Sequence, residues 1–175
     1  MYGGHVGIAL AGKGFRKTIP LWLLIVATQL PDWTDAAVCA AGISSWPSEM
    51  LSHSLPAIAL LAAVMATVYY AARKDALSSL LVAGVVVSHM VTDFLTGLKP
   101  TWPGGPSIGL RLYQRPAIDF VVEAVIIVIG WLIYRRSLPH DRRRSAPANL
   151  LLASLLLLQL MASMSFALFP GIRKC

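Results

Sequence analysis

The sequence predicts an all-α fold: a polytopic integral-membrane helical bundle with about four full spans and an N-terminal partial helix folded as a hairpin. Three observations lead there. Hydrophobic residues make up 57% of the chain and charged residues only 13%, a balance foreign to a soluble domain of this length. The apolar residues fall in long runs bounded by Pro, Gly and basic clusters. The basic excess, a formal net charge of +7, sits between those runs rather than across a surface, which is a topology signal. The aromatic–basic pattern of a nucleic-acid binder is missing, and no nucleic-acid partner is expected. The whole chain, 1–175, reads as one transmembrane domain.

Residues 3–12 are apolar but too short to span a bilayer. Lys13, Arg16 and Lys17 follow in a basic turn closed by Pro20, which suits a helix start. A longer apolar run goes from Leu21 to about Ile43 and is interrupted by Leu30-Pro31-Asp32-Trp33-Thr34-Asp35. Pro31 is expected to kink or break it. Residues 3–32 thus form a helical hairpin, its arms about 12 and 20 Å deep at ~1.5 Å per residue. Tilting, or bending at Pro31, would bring His5 and Asp32 to one side.

Residues 43–52 are turn-rich and polar. Ser52-His53-Ser54 precedes the span 55–72, with Ser54 as its expected cap and Pro56 tolerated in its first turn. Arg73-Lys74-Asp75 is a short turn before the span 76–98. The longest loop, 99–115, carries Trp102, Arg111, Tyr113 and Arg115 among Pro and Gly. Pro116 opens the span 116–134, with Asp119 and Glu123 in its first turns. A basic loop with Arg135, Arg136 and Arg142 to Arg144 follows, suited to anionic lipid. The uncharged span 148–169 stops at Pro170. The distant cysteines, Cys39 and Cys175, suggest no disulfide framework, and Cys39 reads as a free buried thiol. The Ala36–Cys39 segment faintly resembles a lipoprotein cleavage box, but the acidic stretch before it leads us to expect a retained N-terminus.

The positive-inside rule puts residues 13–17, 73–74 and 135–144 on the cytoplasmic side of a bacterial inner membrane, and the loops 44–53 and 99–115 on the other. His53, Asp93, Asp119 and Glu123 then approach the non-cytoplasmic face, with His89 about one turn deeper. His89 and Asp93 are four residues apart on one helix face, inside an otherwise apolar span. With His5, Asp32 and His53 they supply the ligand types of a divalent metal, zinc above all. Such an ion would lower the pKa of its water and provide a nucleophile. Glu123 and Asp35 are the candidate catalytic proton carriers or supports of the ligands. Arg111, Tyr113 and Arg115 are candidate substrate-binding residues, since arginine grips phosphate or carboxylate through a planar fork.

Each residue also has a plain structural reading. His5 and His53 would be interfacial side chains, and Asp32 a cap or ion-pair partner. His89 and Asp93 would bond each other to hold helices together. The loop arginines, with Trp102 and Tyr113, would anchor at headgroups. His140, among arginines, has no assigned role.

The series His5, Leu30-Pro31-Asp32, Ser52-His53-Ser54 and Ser88-His89 through Asp93 resembles the YdjM-like membrane-bound metal-dependent hydrolases and their integral-membrane relatives. The loop Trp102-Pro103-Gly104-Gly105-Pro106 through Gly109-Leu110, Tyr113 and Pro116, with Glu123 beyond, is similar to those relatives too. The resemblance covers 5 to about 134 and leaves the last span out. The hydrolase branch carries Pro-Asp-x-Asp; here the second Asp comes one residue later, at Asp35, and an Arg-Gly pair near the His-Ser motif is missing. The resemblance implies a metal-dependent hydrolase distantly similar to zinc-dependent phospholipases. The expected function is hydrolysis of an ester or phosphoester, of a lipid or a small molecule, with membrane lipid as partner. The alternative is a non-enzymatic metal-binding membrane protein, a transporter or assembly factor. Transporters commonly show repeats and paired broken helices; only one broken segment is visible here.

Overall fold

The computed structural model describes residues 3–43, 51–143 and 145–168. Helix α1 (Gly3–Phe15) and α2 (Leu21–Ala40) form the expected hairpin, followed by a 3-10 turn (Leu51–His53), α3 (Leu55–Arg73) and α4 (Ala76–Thr96). A two-stranded antiparallel ribbon, β1 (Lys99–Pro100) with β2 (Ser107–Ile108), pairs Lys99 with Ile108. A second 3-10 turn (Leu112–Gln114), α5 (Pro116–Ser137), the short α6 (His140–Arg143) and α7 (Ala146–Leu168) complete the described chain. Four stretches are long and apolar enough to cross a bilayer: Leu55–Arg73, Ala76–Thr96, Pro116–Ser137 and His140–Ser165. The fold is a polytopic helical membrane bundle.

Their burial decides their places. Half of the apolar window of α4 is buried, against 17% for α3, so α4 is central and α3 peripheral. Leu60, Val64 and Val68 of α3, Val121 and Val125 of α5, and Leu150 and Leu157 of α7 are exposed, as lipid-facing side chains must be in a helix whose backbone bonds are internal. The short α1 lies between two apolar groups. Its Ala9 joins Leu24, Ala62, Val82 and Val86, and its Leu10 joins Ile127, Trp131 and Leu155.

What lets α1 in so deeply is a glycine contact. A Cβ on Gly130 of α5 would stand 1.9 Å from the Gly7 carbonyl oxygen of α1, and one on Gly7 would stand 2.8 Å from the Ile126 carbonyl. Bare backbones approach closely where small residues remove the side-chain spacer.

The ends of the bundle are tied separately. Arg16 bonds both carboxylate oxygens of Asp75 at 3.0 and 3.2 Å, joining the α1–α2 turn to the α3–α4 turn. Gly14 lies against Ile133, which puts the last turns of α5 at the same end. At the opposite end the Leu55 N–H donates to the Thr101 carbonyl, fastening the ribbon to the start of α3. The three basic stretches therefore share one end of the bundle, as the charge pattern implied.

Three local expectations are corrected. Helix α2 continues through Pro31. Only one backbone donor is lost there. The Thr34 hydroxyl donates to the Leu30 carbonyl, and that of Ser52 to the Pro31 carbonyl; Asp32 is interior to the helix rather than a cap. Ser54 occupies the cap position of α3 but makes no side-chain capping bond. Cys39 is disulfide-bonded rather than a free thiol. Cys175, Pro170, Arg144 and the loop 44–50 lie outside the described residues.

Candidate metal centre

Asp32 and Asp35 sit three residues apart on α2, and the 3-10 turn carries His53 against them. Asp35 organises that turn with both oxygens. Oδ1 accepts the Ser52 N–H at 3.0 Å and Oδ2 accepts from His53 Nδ1 at 2.6 Å. That bond turns His53 Nε2 inward, where it lies 3.1 Å from Asp32 Oδ1 and 3.1 Å from Asp93 Oδ2. His89 is set the same way: its Nδ1 donates to the Thr28 carbonyl of α2 at 2.5 Å, leaving Nε2 3.1 Å from His53 Nε2 and 3.4 Å from Asp93 Oδ2.

One ligand atom from each of Asp32, His53, His89 and Asp93 thus falls within 4.8 Å of all the others. Both imidazoles have their outer nitrogen committed to an oxygen acceptor and their inner nitrogen free to face the cluster. This is how protein sites prepare histidine for a cation. The donor set fits a zinc-like ion. Burial pushes the His53 imidazole down. The carboxylates of Asp32, Asp35 and Asp93 outweigh it, and the group is pushed up to about 9.

His5 reaches the same place from α1. Its ring stacks on His89 with centroids 4.0 Å apart, and its Nε2 is 3.4 Å from Asp93 Oδ1. It therefore meets the carboxylate oxygen turned away from His53, and it is not among the four residues whose ligand atoms converge. His5, His53, His89 and Asp93 are fully buried, whereas the Asp32 side chain keeps 27% of its surface exposed. Asp32 marks the side from which the cluster is approached.

Glu123, fully buried on α5, accepts the Gly4 N–H at 3.1 Å beside His5. Asp35 stands behind His53 rather than in the cluster. Tyr113 lies against Gly97 and bonds Thr96, and its burial, then Asp93, pushes its phenol well up. Arg111 and Arg115 are exposed on the same loop, Arg111 with a left-handed φ of 56°. His140, given no role, is exposed in α6.

Two participants were not anticipated. Lys99, 5% exposed, places its ammonium 2.7 Å from Asp93 Oδ2. The Thr28 carbonyl, which orients His89, is a backbone group and leaves no mark in a sequence. Asp35, a candidate support of the ligands, bonds the outer nitrogen of His53.

No curated protein and no solved structure matches the chain. The family described as "YdjM inner membrane protein" matches residues 1–167, a stretch that includes every clustered residue. With the four apolar spans, that match shows an integral inner-membrane protein, and the chain belongs to the YdjM inner membrane protein family.

Proposed function

We propose that the protein is a membrane-embedded metal-dependent hydrolase. It would act on an ester or phosphoester, a lipid or a small molecule reaching the site from the membrane interface. The observation that carries this reading is the convergence of Asp32, His53, His89 and Asp93, from α2, the 3-10 turn and α4, with both imidazoles oriented in advance. A divalent ion, zinc in our reading, would supply Lewis acidity and a water of lowered pKa. The chain's own residues do the rest. Asp35 holds the His53 Nδ1 proton and fixes the ring. The partly exposed Asp32 leaves the approach open. Glu123, buried on α5, would take up a proton. Arg111, Tyr113 and Arg115, on the loop before α5, would bind the anionic part of the substrate.

The positive-inside rule orients this end towards the non-cytoplasmic face. An impermeant thiol reagent applied to sealed right-side-out vesicles should label Ser107→Cys and spare Arg142→Cys. The reverse pattern would invert the orientation.

The alternative is a non-enzymatic metal-binding protein. The burial of three of the four ligands favours it, and the exposure of Asp32 favours the enzyme. The test is hydrolysis of p-nitrophenyl ester and phosphoester probes by purified protein before and after chelation. Cleavage that disappears on chelation and returns with zinc is the expected result. Retained metal with no cleavage of any probe would leave the binding protein.

A further inference from the structure

The last turn of α5 and the segment after it fold back on themselves through arginine. Arg143 donates from Nε to the Leu138 carbonyl at 2.9 Å and from Nη2 to the Arg136 carbonyl at 3.0 Å. Arg135 Nε donates to the Arg143 carbonyl at 2.6 Å. Its guanidinium lies over the Trp131 ring, 4.8 Å from the centroid. The Trp131 indole N–H donates in turn to the Ala148 carbonyl at 2.9 Å, which ties α5 to the start of α7. The segment is thus held at several points.

It borders a cleft of about 270 Å³, lined by Leu132, Arg135, Arg136, His140 and Arg143. That is many times the roughly 30 Å³ that a water molecule takes up. Guanidiniums gathered round one small cleft repel one another. The one carboxylate between 132 and 143 is Asp141, and among the described residues it forms no ion pair with these arginines. Backbone carbonyls take Arg135 Nε and two donors of Arg143, and no bond among the described residues uses the Arg136 guanidinium. Arginines with donors to spare and no carboxylate partner match an anion rich in oxygens.

The place of the cleft decides the kind of anion. Val125, Ile129 and Leu132 are exposed on α5, and their spacing puts them on one helix face with Arg136. The lipid-facing stripe of α5 therefore runs into the cleft at Leu132. A free anion would gain nothing from that apolar wall. A phospholipid meets both surfaces at once, with its phosphate at the guanidiniums and its acyl chain on the stripe.

We propose that this cleft binds one anionic phospholipid, its phosphate held by Arg135, Arg136 and Arg143 and its chain lying along Val125, Ile129 and Leu132. The site stands at the end of the bundle opposite the metal cluster and does not depend on it. It turns a general attraction of basic loops for anionic lipid into one built position.

The experiment uses the full chain, stripped of lipid in detergent, and native mass spectrometry with added phosphatidylglycerol, phosphatidylcholine or inorganic phosphate. Wild type is compared with Arg136→Gln, Arg136→Lys and Arg142→Gln. Arg142 is exposed in the same segment but does not line the cleft, so its variant loses the same charge from a different place. The first phosphatidylglycerol should bind ~10-fold more weakly to Arg136→Gln, recover in part in Arg136→Lys, and stay within about twofold of wild type in Arg142→Gln, since only the first variant loses a charge-assisted bond. Wild type should bind phosphatidylcholine more weakly than phosphatidylglycerol, and inorganic phosphate should not displace the lipid. Equal weakening in Arg136→Gln and Arg142→Gln would mean diffuse attraction to the basic segment and overturn the proposal. Wild type that binds both lipids equally would overturn it too. Displacement of phosphatidylglycerol by inorganic phosphate would make the cleft a site for a soluble anion and overturn the lipid assignment.

Discussion

The two ends of the bundle use charge in opposite ways. At the basic end, charged side chains satisfy the backbone. Lys13 donates to the Lys17 and Ile19 carbonyls, Arg143 to the Leu138 and Arg136 carbonyls, Arg135 to the Arg143 carbonyl, and Arg16 pairs with Asp75. These groups stand at or near the surface and finish helix ends. At the other end, the imidazoles and carboxylates are buried and turn towards one another. Two carboxylates and two imidazoles surround a point, with Asp35 behind His53, and Lys99 is the only lysine or arginine paired to them among the described residues. Charge that caps a helix is structural. Charge gathered away from water, beyond what its internal partners can neutralise, marks a place for a cation.

The largest way to break this contrast is to dislodge α1, the helix that carries His5 into the site. Gly130→Ala puts a methyl on the Gly7 carbonyl. Because the obstacle is backbone, the loss should reach the top of the usual overpacking range, about 3 kcal/mol. Thermal melts in detergent would show it. A variant melting like wild type would mean that α1 and α5 are not in that contact.

A smaller effect sharpens the site end. Asp35→Asn keeps the shape at His53 Nδ1 but removes the carboxylate that orients the ring. Metal affinity should fall by ~10–100-fold with the fold retained. Competition with a chelator of known affinity measures it. Unchanged affinity would reduce Asp35 to a helix-to-turn tether.

The smallest effect belongs to the basic end. The Ser78 hydroxyl and N–H, then Arg16, hold the Asp75 carboxyl below its usual range. Its folded pKa lies below its unfolded one, so the unfolded chain binds more protons and stability rises with pH. The contribution is complete above the ordinary carboxylate value of about 4 and is lost as pH falls through the depressed value. Asp75→Ala should lower the melting temperature slightly at neutral pH, less so under acid, and leave metal content untouched. A loss of metal would contradict the separation of the two ends.

How much of this was legible follows from the same physics. The spans were plain because lipid demands long apolar runs. His89 and Asp93 stood out because ionisable groups in such a run are rare. Asp32 and His53 followed from their places at the same end. Lys99 did not, since a lysine before a proline at the end of a span reads as a headgroup anchor. Only the ribbon's return over α4 turns it inward. The α1–α5 crossing was half legible: Gly3 and Gly7 make a small-xxx-small pair, but Gly130, its partner, has no such repeat beside it. At Pro31 the helix does not break, since a proline removes only one backbone donor from a long helix.

The central claim is that the buried cluster is a cation site rather than a hydrogen-bonded packing device, and metal analysis of gently purified protein tests it most directly. We predict close to one zinc per chain in wild type, loss of most of it in His89→Ala, and a melting temperature that falls on chelation in wild type only, since an ion bound to the folded state adds to its stability. Wild type free of metal, indifferent to chelators and to added zinc, would contradict the account and leave His5, Asp32, His53, His89 and Asp93 as groups that hold helices together.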